Sequence, residues 1–129
     1  MNYSPALGAK TLHMTNDLHP LIQSLRAFAK ERDWEQFHSP KNLACALSVE
    51  AAELLEHFQW LTEEQSRTLM ADKKQLVAAE AADVFLYLLQ LCDKLNIDLI
   101  QAAQHKLAAN GEKYPVAKAR GSSKKYTEI

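Results

Sequence analysis

Apolar residues recur three and four positions apart along most of this chain, and no segment alternates convincingly with period two. That pattern predicts helices and no sheet. A first helix is expected to run to about Asp33, with Leu21, Ile22, Leu25, Phe28 and Ala29 on one face. Thr15-Asn16-Asp17 offers caps for it, and Pro20 suits its first turn. Trp34-Glu35-Gln36-Phe37-His38 reads as a connecting loop rich in rings, and Ser39-Pro40 as a cap followed by a helix-starting proline. A second helix is expected from about Lys41 to Leu61. Thr62-Glu63-Glu64-Gln65 has the form of a capping box and opens a short helical piece. Asp72-Lys73-Lys74-Gln75 is read as a second box opening a third long helix to about Leu95. Asp98-Leu99-Ile100-Gln101 is read as a third, opening a helix that stops at Asn110-Gly111. Residues 1–14 read as a loose arm and 114–129 as an extended, polar and basic tail. The expected fold is all-α, an antiparallel four-helix bundle in a single domain spanning 1–129.

The third helix departs from ordinary amphipathicity. Val84-Phe85-Leu86-Tyr87-Leu88-Leu89-Gln90-Leu91-Cys92 is apolar nearly all round, and such a helix is buried on several sides. One small bundle has little to cover it with, so an obligate oligomer is expected.

The bulk numbers narrow the function classes. The 129 residues carry 15 Lys and Arg against 16 Asp and Glu, a net charge of −1. This balance argues against wholesale nucleic-acid binding. No run of apolar residues is long enough to span a bilayer, and Met1 to Met14 lacks the layout of a signal peptide. Cys45 and Cys92 lie within apolar helical patterns. They read as small buried hydrophobes in a reducing compartment, not as a disulfide or zinc site. A soluble, cytoplasmic protein is expected.

The chemistry lies in two acidic pairs, Glu50-Ala-Ala-Glu53 and Glu80-Ala-Ala-Asp83. Each pair sits three residues apart, about 60° around a helix, so both acids share a face. Both pairs lie against apolar stretches. Ordinary surface acids would account for one such pair, but four carboxylates facing a common interior repel one another and lose hydration. A positive charge must lie between them, and an all-oxygen donor set suits Mg²⁺, with Mn²⁺ as a substitute. Such a site holds phosphates through the ion, which points to phosphoanhydride hydrolysis. Glu56 forms a further pair with Glu53 but turns away from Glu50.

Beyond this pattern, the chain resembles a known family. The spacing E-x-x-E, then twenty-six residues, then E-x-x-D is similar to that of the MazG-like all-α nucleoside triphosphate pyrophosphohydrolases. Within them, the dCTP pyrophosphatase group is resembled through Arg32 to Leu43 (RDWEQFHSPKNL), Phe58-Gln59-Trp60, Lys113-Tyr114-Pro115 and Arg120 to Glu128 (RGSSKKYTE). The likeness covers about residues 18–128. It departs at Ala-Ala between Glu50 and Glu53, where a glycine often precedes the second acid, and at Lys41, often arginine. Lysine keeps the charge but loses the bidentate fork.

The resemblance implies hydrolysis of dCTP to dCMP and pyrophosphate with Mg²⁺, in a homotetramer whose sites draw on neighbouring subunits. It implies Glu50, Glu53, Glu80 and Asp83 as catalytic metal ligands. Trp34, His38 and Trp60 would surround the base, Asn110 would read the cytosine edge, and Tyr87 would back the sugar. Lys41, Lys113 and Tyr114 would reach the phosphates. A di-iron or di-manganese carboxylate bundle is the nearest rival enzyme. It needs two Glu-x-x-His pairs, and only Glu35/His38 has that form, in a loop. A non-enzymatic helical oligomer that binds a partner is the rival from another class; it explains the apolar third helix but not the acidic pairs.

Overall fold

A computed structural model describes residues 18–129. The expected N-terminal arm and the caps at Thr15-Asn16-Asp17 lie outside the described residues. Helices account for most of the rest, and among the described residues there is no strand. The helices are α1 (Leu18–Glu31), α2 (Pro40–Glu56), the short α3 (Glu63–Arg67), α4 (Ala71–Lys94), α5 (Leu99–Lys113) and the single-turn α6 (Val116–Ala119), with 3₁₀ turns at Glu35–Phe37 and Tyr126–Glu128. The all-α expectation holds, as do four long helices. The chain divides into two compact units, one ending at Asn96 and one starting at Ile97.

In the N-terminal unit, α4 packs along α2 and also meets α1. Leu43 of α2, Leu89 and Cys92 of α4, and Ala29 of α1 are buried where they meet. Arg26 of α1 donates to Asp93 of α4 through both Nε, at 2.8 Å, and a terminal guanidinium nitrogen, adding an ion pair to this contact. The hydrogen bonds from Arg26 hold the Asp93 carboxyl below its usual range. Much apolar surface stays uncovered: Leu76 is 54 % exposed and Phe85 37 %. The apolar third helix of the sequence is thus not enclosed by the described residues of the N-terminal unit.

Local signals placed most boundaries. Helix α1 ends where Asp33 takes φ +54°, with Asp33 N–H donating to Lys30 O and Trp34 N–H to Ala29 O. This pair of bonds is a Schellman ending, which needs a left-handed residue, and aspartate tolerates that region better than most. Ser39 caps α2 by accepting from Asn42 N–H at 3.2 Å, with Pro40 at its first position. The Thr62/Gln65 box is complete in both directions, at 3.1 and 2.9 Å.

Five expectations are corrected. Helix α2 stops at Glu56, not Leu61, because the bonds tighten to three-residue spacing at His57 N–H and Phe58 N–H. The Asp72 box does not open α4: Met70 is the cap, and the Asp72 side chain accepts from Lys73 N–H instead. At Asp98 only the forward half of the box is formed, to Gln101 N–H. Helix α5 passes through Gly111 to Lys113 and ends before Pro115, since a residue preceding proline disfavours the helical region. The tail is not extended: α6 and the last 3₁₀ turn shape it, and the Tyr114 and Tyr126 rings lie edge to face with centroids 5.9 Å apart.

Two bulk readings change as well. Cys45 is exposed while Cys92 is buried, and both are free thiols. Helix α4 is long and apolar enough to cross a membrane by composition, with a mean hydropathy of 1.4 over 18 residues. Averaging passes what the sequence reading did not, because alanines surround Glu80 and Asp83.

Candidate active site

The contact of α2 with α4 brings the two acidic pairs together. Oxygen atoms of Glu50, Glu80 and Asp83 all lie within 4.8 Å of one another. Glu53, one turn after Glu50, lies close enough to act on the Glu50 carboxyl. Proton sharing with Glu53, partial burial and the charges of Glu53, Asp83 and Glu80 push the Glu50 carboxyl up from 4.5 to about 7. Like charges this close cannot all ionise cheaply, so one oxygen keeps a proton. His57, in the turn after α2, places Nε2 3.7 Å from Glu80 Oε1, and both groups are partly buried. Glu56 is exposed, as its turn away from Glu50 predicts.

The donor chemistry fits a divalent cation. Three carboxylate oxygens converge from two helices, and opposite ligands of Mg²⁺ stand about 4.2 Å apart at Mg–O distances of ~2.1 Å. The 4.8 Å envelope needs only small side-chain adjustments to close on such an ion.

Beside the acids opens a cavity of about 340 Å³, within the 300–1,000 Å³ range of small-molecule sites. Asp83 belongs both to the acidic cluster and to this wall. The same side of α4 contributes Leu86, Tyr87 and Gln90, at the three- and four-residue steps that keep a helix face in register. Trp34 and His38 line the cavity from the connecting loop. Their rings lie edge to face at 6.2 Å, and Phe28 meets Trp34 at 5.8 Å. The loop is held by its own polar side chains. Gln36 donates to Asp33, and Asn42 Nδ2 donates to Phe37 O at 2.9 Å.

The structure therefore gathers Glu50, Glu80, Asp83, Tyr87, Trp34 and His38 around one site, with Glu53 beside Glu50. It does not bring Trp60 or Lys41 to the cavity wall: Trp60 is 87 % exposed on the turn after α2, and Lys41 is exposed at the start of α2. Asn110, Lys113 and Tyr114 belong to the C-terminal unit, where Asn110 is half-buried and the Lys113 Nζ lies 5.2 Å from the Tyr126 ring centre. Phe28, Leu86 and Gln90 are site residues that the sequence reading missed. A signal was present for the latter two, since they fall three and seven positions after Asp83.

Comparisons with known proteins agree with this geometry. The MazG-like family matches residues 45–129. The chain is 40% identical over 116 residues to dCTP pyrophosphatase 1 of Mus musculus, covering 85% of this chain and 68% of that protein. The Homo sapiens dCTP pyrophosphatase 1 gives the same identity and coverage. The crystal structure of a pyrophosphatase from Archaeoglobus fulgidus superposes with a TM-score of 0.73 at 42% identity, covering 77% of this chain and 93% of that one. An all-α fold, two facing acidic pairs and matches of this extent lead to one assignment: the chain belongs to the MazG-like family.

Proposed function

We propose that this protein is a soluble, cytoplasmic, Mg²⁺-dependent nucleoside triphosphate pyrophosphohydrolase that acts on dCTP, including modified dCTP, to give dCMP and pyrophosphate. The observation that carries the reading is Asp83, which joins a carboxylate cluster to an aromatic-walled cavity. A triphosphate and a base need those two environments side by side. The relatives named dCTP pyrophosphatase supply the choice of cytosine.

Glu50, Glu80 and Asp83 would hold the cation, with Glu53 beside them. When bound, Mg²⁺ neutralises the phosphates and polarises a phosphoryl oxygen. Trp34 and His38 present rings for stacking on the base, a contact that tolerates any base. Tyr87, one turn past Asp83, backs the sugar. Glu53 lies outside the three-oxygen cluster and would take a proton from the attacking water. Water adds to phosphorus as the bond between the α and β phosphates breaks, and pyrophosphate leaves.

The uncovered apolar surface of α4 supports a homo-oligomer, read here as a tetramer with sites shared between subunits. Lys41, Trp60, Asn110, Lys113 and Tyr114 are proposed to reach the substrate in that assembly, with Asn110 on the cytosine edge. The test is pyrophosphate release from a panel of natural and modified triphosphates, with and without Mg²⁺. The reading expects Mg²⁺-dependent release, fastest with dCTP. A protein that only binds a partner releases none.

A further inference from the structure

We propose that Gln90 is a specificity-determining residue that reads the exocyclic amino group of the base. This rests on the enzymatic reading above and deepens it.

The face of α4 that lines the cavity runs from Asp83 through Tyr87 to Gln90. Seven residues of helix span about 10 Å, so Gln90 lies about that far along the cavity-lining face from Asp83, which belongs to the acidic cluster. Gln90 is half-buried there, close to Trp34 and His38, which also line the wall. It is the one carboxamide among the lining residues.

Its orientation is set by the helix. Gln90 Nε2 donates to Leu86 O at 3.2 Å. A carbonyl accepts only a donor, so the NH₂ end must face the backbone. The other end, Oε1, receives no hydrogen bond from the described residues. An acceptor is thereby presented where a base would stack. Cytosine offers an amino donor at that edge, whereas uracil and thymine offer a carbonyl acceptor. The first pairs with Oε1 and the second opposes it. The other small polar group on the wall, Ser24, already donates its hydroxyl to Pro20 O at 3.0 Å.

The experiment compares kcat/KM for dCTP and dUTP on wild type, Gln90→Leu, Gln90→Glu and Asn110→Ala. Gln90→Leu keeps the bulk and removes the acceptor. It is expected to lower the dCTP-to-dUTP ratio by roughly tenfold, the worth of one hydrogen bond to a base edge, through KM for dCTP with kcat little changed. Gln90→Glu keeps an acceptor but loses the donor to Leu86 O, and should recover part of the ratio. A merely structural role would depress both nucleotides alike and would not be rescued. Competition by dCMP against dUMP, measured as Kd without turnover, gives the same comparison if a variant is inactive. The proposal is overturned if Gln90→Leu leaves both ratios within twofold of wild type, whatever Asn110→Ala does to them. Failure of the wild type to release pyrophosphate from any triphosphate would instead strike the enzymatic reading itself, and Kd ratios for the monophosphates would still decide whether Gln90 reads the base.

Discussion

Replacing Glu50 with glutamine should stabilise the metal-free protein at alkaline pH and leave it unchanged in acid. The native state holds the Glu50 carboxyl at about 7 against an ordinary 4.5, chiefly through Glu53 beside it. Between those values the native state keeps a proton that the unfolded chain has released. This contribution to stability is full below the unfolded value and is lost as pH rises through about 7. At ~1.4 kcal/mol per pKa step, the rise sets a ceiling of roughly 3 kcal/mol. Glu50 is open to solvent in part, and screening brings the expected effect to about 1 kcal/mol. For a domain of this size that is a shift of about 4 °C in Tm. Glutamine keeps the shape and a hydrogen-bond donor without the charge. The assay is thermal unfolding in chelator from about pH 5 to pH 8, for wild type and Glu50→Gln. The wild type should fall towards the higher pH while the variant stays level, and saturating Mg²⁺ should reverse their order there. Parallel curves in chelator would refute the reasoning, because the carboxylates would then not be sharing a proton.

Glu53→Gln should cut pyrophosphate release by orders of magnitude while circular dichroism shows the helices intact; wild-type turnover in Mg²⁺ would remove Glu53 from the site. Light scattering at micromolar concentration should show an oligomer, with a tetramer expected, and a stable monomer would leave the open face of α4 without an explanation. Arg26→Gln should lower Tm near neutral pH. Because Asp93 is held below its usual carboxylate range by Arg26, the pair stabilises above the ordinary value and is lost as pH falls through the lowered one. The gap between variant and wild type should therefore shrink in strong acid, and a gap constant with pH would assign the loss to packing alone.

The sequence by itself determined the helical class, the start of α2 and the paired carboxylates. Periodicity, Ser39-Pro40 and the three-residue spacing of Glu50/Glu53 and Glu80/Asp83 are local signals, and each acts within a turn or two of helix. The resemblance added the function and proposed roles for Trp34, His38 and Tyr87, three residues that line one cavity. Boundaries failed where two local signals competed. Gly111 permits a helix end, but Pro115 forces one, so α5 ended at the proline. Met70 capped α4 ahead of Asp72, and in the polar tail the Tyr126 ring found Tyr114 to pack against.

Only the tertiary structure decided which residues meet. The proton kept by Glu50 is owed chiefly to Glu53 on its own helix, but the meeting of Glu50 with Glu80 and Asp83 joins acids thirty residues apart, and no spacing in the chain encodes that contact. Phe28 entered the site because the left-handed turn at Asp33 folds Trp34 back onto α1. Gln90 became an oriented acceptor because its amide turns to the Leu86 carbonyl while its helix face borders the cavity. A side chain's chemistry is written in the sequence, but its field, its solvent and its partners come from packing across elements distant in the chain.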